Sequence, residues 1–377
     1  LERTVSKLEA KLAHVTVVEG TINGLAGPHV IFEGCNVHVR SGSGESTDGT
    51  VDLDSREIIP GVEPRGLGNL IVGYNEEPLY NETDRGGSHN VVIGPGHSYP
   101  NVAGAVFGQE NQITGPFAGV VGGRRNVASN YASCVSGGSN NEASGDSASA
   151  SGGAFGVASA VCANVSSGFS NVAESAFASV SGGFGNTANG NYSSVYGGTG
   201  NTASGENSSV SGGNLNTANA SRSSVSGGSN NTASGVESAV SGGSENEASG
   251  FNSSIGGGYG NTATNNYSGV GGGRLNDATG DYSTVSGGNG NAAEGNYSTV
   301  SGGDRCTAAG GYSSVSGGIR NIASGSRSSV SGGGSNDAEG DYSNVSGGAE
   351  NTASGEYSSI GGGRVNETSG YSSNISG

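Results

Sequence analysis

The residues of this chain best suited to chemistry do not gather where chemistry would need them. Its five histidines, His14, His29, His38, His89 and His97, all precede residue 100. General acid–base or nucleophilic catalysis requires a nucleophile, a base and an orienting group within hydrogen-bond reach. No motif brings such a trio together, so no enzyme activity is expected. Cys35 and His38 stand three apart, a spacing that suits two ligands of one metal ion. Two ligands are too few, and neither a metal nor a cofactor is expected. The four cysteines, Cys35, Cys134, Cys162 and Cys306, follow neither metal-ligand nor disulfide spacing. With 15 basic against 32 acidic residues the net charge is −17, which disfavours nucleic acid and anionic membrane surfaces as partners.

Two polar residue types do recur in register. Asparagine opens an Asn-Thr-Ala-like pentad every 15 residues from Asn111 to Asn366, as at Asn186, Asn201, Asn216 and Asn231, and lapses at Gly156 and Cys306. Stacked carboxamides can donate in one direction and accept from the other, satisfying buried turn backbone. Tyrosine recurs at Tyr192, Tyr267, Tyr282, Tyr297, Tyr312, Tyr342 and Tyr357, always three residues before an apolar rung. Such a row could cover the edge of the ladder or offer a strip on which sugars stack.

Rows of this kind need a scaffold with the same period. From Val120 to Ile375 every fifteenth residue is Val or Ile, Ala150 excepted, with no insertion or deletion. Fixed-period self-similarity marks a solenoid rather than a set of globular domains. In residues 186–200 the apolar positions are Ala188 and Val195, seven apart, with eight more to Ala203. Two apolar ladders predict two strands per coil, with the glycine pairs at corners. A three-sided coil would need a third apolar ladder, and the sequence has none. Coils spaced about 4.7–4.9 Å apart predict a rod of roughly 85 Å. With 76 glycines, 31% hydrophobic residues and neither Trp nor Met, no thick core can form.

The two outer faces differ in charge. Residues flanking the Val rungs, among them Ser194, Ser209, Ser211, Ser224 and Ser226, are uncharged in every coil. Those flanking the Ala rungs include Glu142, Glu174, Glu247, Asp277, Glu294, Asp337, Glu339 and Glu367. The Ala face is therefore expected to be wet and the Val face covered, most economically by a second copy of the chain. Burying one Val stabilises by about 1.5–3 kcal/mol, whereas ordering 15 residues costs on the order of 15–30 kcal/mol. So thin a coil calls for lateral packing.

Upstream, Leu1, Val5, Leu8, Leu12 and Val15 fall on a heptad seam, which predicts a coiled-coil helix over 1–15. A connector over 16–65 carries strand signals at Thr16–Val18, His29–Glu33 and Asn36–Arg40, followed by an acidic loop. Residues 66–115 read as irregular starter coils built on apolar pentads, placing Leu70 and Val72 with the seam residues at an oligomer interface. The regular repeat occupies 116–377. No apolar run reaches the roughly 18–20 residues of a membrane span. The absence of an initial Met predicts a further upstream segment. The last rung, at Ile375, stops mid-pattern, which predicts end-to-end polymerisation or a longer chain.

Across 116–377 the Ser-Ser-Val-Ser-Gly-Gly and Asn-Thr-Ala-Ser-Gly segments resemble the head repeats of trimeric autotransporter adhesins, also described as haemagglutinin-like. Gly66–Asn75 and Gly87–Gly94 are similar to the lead-in of uncharacterised bacterial surface proteins with such repeats. The resemblance implies an all-β, left-handed parallel β-roll, a homotrimer, and an extracellular or cell-surface fibre or adhesin, with host or surface glycans as candidate partners. Those heads commonly repeat at 14 residues and carry larger apolar residues beside the Gly. Here the period is 15, Ser flanks most Val rungs, and the coil is N-terminal. A receptor-binding tail fibre of a phage or contractile injection system is the alternative. The rolls also resemble some grass ice-binding proteins, although the Thr187, Thr202, Thr217, Thr232 row is broken at Glu247 and Asp277.

Overall fold

The computed structural model describes residues 2–78 and 83–377. The one helix among the described residues, α1 (Glu2–Lys11), leads into an antiparallel hairpin of β1 (Val15–Val18) and β2 (His29–Phe32), with Val15 opposite Phe32 and Val18 opposite His29. The strand expected at Asn36–Arg40 does not form. Gly34 takes a left-handed φ of 67° and turns the chain out of the hairpin before it can pair.

The acidic stretch that follows folds around Asp48. One carboxylate oxygen accepts from the Ser41 hydroxyl at 2.5 Å and the other from the Arg65 amide at 2.9 Å. Burial opposes ionisation there, but hydrogen bonds from Ser41, Ser43, Ser88 and the Arg65 amide outweigh it and hold the carboxyl well below the usual range. Thr47, Thr50 and Val51 are buried with it, so this stretch packs as a clasp rather than trailing as a flap. The Ser41 amide donates to His89 Nε2 at 3.1 Å, which ties the clasp to the first coils.

Beyond the clasp the chain is a parallel β-solenoid. β3 (Leu70–Val72), β4 (Val91–Ile93) and β5 (Ala105–Phe107) stack in parallel, pairing Ile71 with Val92 and Val92 with Val106. Val106 then pairs with Val120, the first regular rung. From there each coil repeats at 15 residues: Val195 lies between Val180 and Val210 in one sheet, and Ala188 between Ala173 and Ala203 in the other. The second sheet begins at Gln112–Ile113. Both sheets are open linear stacks, of three-residue strands in β3 to β5 and two-residue strands beyond, because turn residues occupy the rest of each coil.

One coil shows how the stack is held. On the Val side Ser194 and Tyr196 donate to the carbonyls of Ser208 and Val210, each at 3.0 Å. On the Ala side Thr187 and Asn189 donate to Asn201 and Ala203 at 2.9 and 3.0 Å. A third, narrower ladder runs along the corner after the glycine pair, where Thr199 bridges Phe184 and Asn214. This third side has one bridged residue per coil and no apolar rung beneath it, since asparagine side chains fill that end of the interior. Asn186, Ala188, Gly190, Ser193 and Val195 all point inward and are buried.

Three positions per coil adopt left-handed backbone, here Tyr192, Gly198 and Gly200. Only the second residue of the glycine pair is chemically constrained. A Cβ on Gly198 would fall onto the Gly213 carbonyl of the next coil, on top of a φ of 86°.

Candidate functional site

The asparagine row is the polar spine of the fold. Asn216 donates from Nδ2 to the Gly212 carbonyl of its own turn at 2.8 Å and to Gly228 of the next coil at 3.0 Å. Its Oδ1 accepts the Asn231 amide at 3.0 Å. Asn186, Asn201 and Asn231 repeat this pattern, and all four are buried. The carboxamides therefore bond mainly to backbone; direct contact between side chains is limited to pairs such as Asn246 with Asn231. Gly156 has no side chain to contribute. Cys306 brings only a thiol, 3.5 Å from the Gly318 carbonyl.

Two members of this row escaped sequence reasoning. His97 sits fourteen residues before Asn111 and does the same work: Nδ1 accepts the Asn111 amide at 3.2 Å, and Nε2 faces the Ile93 carbonyl at 3.0 Å. Those partners call for the neutral tautomer with its proton on Nε2. Burial depresses the imidazole's proton affinity, consistent with that form. One coil earlier, Asn75 Oδ1 accepts the His97 amide at 2.9 Å. The signal in the sequence was spacing: His97 follows the strand residue Ile93 by four, as Asn111 follows Phe107.

On the outer Val face Ser194, Ser209 and Ser224 are half-buried, while Ser211 and Ser226 are exposed. The face keeps its uncharged character from end to end. It continues at its N-terminal end into an aliphatic outcrop, where Leu70, Val72 and Val121 are 50, 52 and 55% exposed, beside Ile93. Val5 and Leu8 of α1 and Leu12 just beyond its end are exposed as well, and Val15 is half-buried, already in β1, so the helix stops short of the expected 1–15; Leu1 lies outside the described residues. Near the middle of the face Gly256, Gly269 and Gly271 leave a depression of about 480 Å³ edged by Tyr267 and Thr284.

No family model and no curated protein matches the chain. The Ala face contrasts with the Val face, since Glu142, Glu174, Glu247 and Asp277 stand exposed on it. No helix among the described residues is long and apolar enough to cross a membrane. The cysteines are all free, with Cys306 buried and Cys35 and Cys162 exposed.

The tyrosine row runs along the corner between the two sheets. Tyr267 and Tyr282 stack at 4.7 Å between centroids; Tyr282–Tyr297, Tyr297–Tyr312 and Tyr342–Tyr357 stack at 4.8 Å. Arg327 fills the gap, its guanidinium 5.5 Å from the Tyr312 ring and 5.2 Å from the Tyr342 ring. Each tyrosine holds left-handed backbone, a conformation costing about 1–2 kcal/mol for a residue with a Cβ, and ring stacking at about 0.5–1.5 kcal/mol offsets much of that. Inside the row the ring faces on which a sugar would stack are covered by neighbouring rings. What meets solvent is a line of ring edges and hydroxyls.

Proposed function

We propose that the chain is a non-catalytic, homo-oligomeric fibre protein of the cell surface or extracellular space, whose copies pack through their Val faces. The observation that carries this reading is the continuity of an uncharged sheet face with the exposed outcrop at Leu70, Val72 and Val121. Contiguous exposed apolar surface of this kind marks interaction sites. The heptad seam of α1, with exposed Val5 and Leu8 and Leu12 just past the helix end, supplies a second self-complementary element in the same part of the chain. The resemblance to trimeric adhesin heads adds a copy number of three and a left-handed coil to the proposal. An adhesive role follows from the length of the repeated surface, which offers many equivalent contacts to a ligand array.

Sedimentation equilibrium on the full chain tests it. A trimer is expected, dissociating when Ser209, Ser211 and Ser224 are each replaced by Glu. Thr217→Glu, which copies the natural Glu247 on the opposite face, is expected to leave the assembly intact. A stable monomer at micromolar concentration would rule the reading out.

A further inference from the structure

We propose that the tyrosine row is a site of oxidative cross-linking, at which residues fifteen apart on neighbouring coils are joined as dityrosine. The oxidant is a haem peroxidase working with hydrogen peroxide. Each of two stacked phenols loses one electron and one proton, giving phenoxyl radicals with spin on the ring carbons beside the oxygen. A carbon–carbon bond forms between those carbons, and the two displaced ring protons return to the phenol oxygens. Two hydrogen atoms in all pass to one peroxide, which leaves as two waters.

Several observations converge on these residues. The rings of Tyr282, Tyr297 and Tyr312 lie within 2° of parallel at 4.8 Å, and the Tyr342–Tyr357 pair is within 11°. The backbone ladder holds each ring beside its neighbour, so coupling is a unimolecular encounter that needs no diffusion. Row members from Tyr267 to Tyr357 are 40–56% exposed, open to an oxidant along their edges. They occupy a corner rather than the core, which leaves the rings free to twist into the biaryl geometry. Each bond would staple one coil to the next in a chain whose four cysteines are all free. The chemistry is intrachain and does not depend on the oligomeric reading above.

Exposure and geometry make opposite forecasts here. Tyr74, Tyr196 and Tyr371 are 93, 61 and 72% exposed, more than any row member. If exposure governs, they react first, between molecules. If stacking governs, the products are Tyr267–Tyr282, Tyr282–Tyr297, Tyr297–Tyr312 and Tyr342–Tyr357.

The test treats dilute full chain with a haem peroxidase and hydrogen peroxide, reads dityrosine fluorescence, and maps linked peptides by mass spectrometry. The four stacked pairs are expected, with a yield per chain independent of protein concentration. Tyr282→Phe removes the Tyr267–Tyr282 and Tyr282–Tyr297 links; with each ring coupling once, the parent holds three links at completion and the variant two, so the yield should fall by about one third. Arg327→Tyr closes the gap and should add links from residue 327 to Tyr312 and Tyr342. Products dominated by Tyr74, Tyr196 or Tyr371, a yield that climbs with concentration, or no new link in Arg327→Tyr would each overturn the proposal.

Discussion

Replacing Asn216 by Ala removes one residue of the buried spine and leaves the rest of the coil unchanged. Three hydrogen bonds disappear: the two donated to Gly212 and Gly228, and the one accepted from the Asn231 amide. The Gly228 carbonyl keeps a second donor, the Asn214 amide at 2.9 Å. The Gly212 carbonyl and the Asn231 amide lose that partner, and Asn231 is fully buried. With each net bond contributing about 0.5–1.5 kcal/mol and a stranded buried group costing about 1–3 kcal/mol, the expected loss is about 2–4 kcal/mol. In a repeat array the effect stays with the altered coil and its neighbours. Hydrogen exchange at the Asn231 amide is therefore the sharpest assay, with urea unfolding beside it. Cys306→Asn is the converse arm, since it restores donors to Gly302 and Gly318 and an acceptor to the Asn321 amide. It is expected to stabilise the protein, given that the thiol reaches Gly318 only at 3.5 Å. An Asn231 amide as protected in Asn216→Ala as in the parent, with a stability change under about 0.5 kcal/mol, would refute the spine as a source of stability.

Four further outcomes follow from the same geometry. His97 has a proton affinity below its ordinary value of 6.5, so the unfolded chain binds more protons as the pH falls past that point. Stability of the starter coils should be complete above it and decline on acidification, and His97→Asn should remove the part of that decline that begins near 6.5 in a thermal melt taken across pH, leaving the loss at lower pH that comes from Asp48. Asp337 shows the opposite sign. Burial first and Glu339 second raise its value above 3.8, so stability falls as the pH rises through the folded value; Asp337→Asn should melt higher near neutrality and match the parent below pH 3.8. Gly213→Ala places a Cβ against the Gly228 carbonyl at a φ of 90°, while Gly212 has nothing within 4 Å. Melting temperatures should drop steeply for the first variant and barely move for the second. Ser298 buries a hydroxyl that finds no partner, and Ala148 and Ala178 fill the same position in other coils; Ser298→Ala should be neutral or stabilising in chemical denaturation.

Most of the architecture was legible because its cause is local and repeated. Val at every fifteenth residue states the rung, and Ala seven residues before it states the second sheet, since a strand reveals itself by which side chains must be inward. The third ladder was not legible. It rests on one bridged residue per coil whose identity ranges over Arg124, Ser139, Ala154 and Phe169, so no residue preference betrays it. His97 was missed for a related reason: a hydrogen-bonding role shared by an imidazole and a carboxamide leaves the pairing intact while breaking the letter pattern. The clasp around Asp48 has no period at all. Its serines and glycines look like a linker, and only the folded geometry shows a buried carboxylate gathering them.

The same periodicity that makes the fold readable restricts what its surface can do. In a globular enzyme a site draws residues from distant parts of the chain, so a nucleophile and its base need share no local pattern. In this solenoid the neighbours of residue 282 across the stack are residues 267 and 297, and the same holds for every position between Val120 and Ile375. Inward positions are taken by Asn, Ala, Gly, Ser, Val and Ile, with single departures at Cys306 and Thr368. Outward positions come in rows of like residues about 4.8 Å apart. Arrays of that kind suit extended partners with a matching repeat, a second copy of the chain above all, and they suit reactions between identical neighbours. Both the uncharged Val face and the stacked phenols are rows in this sense. Function in such a chain is therefore best sought in what a row can do that one residue cannot.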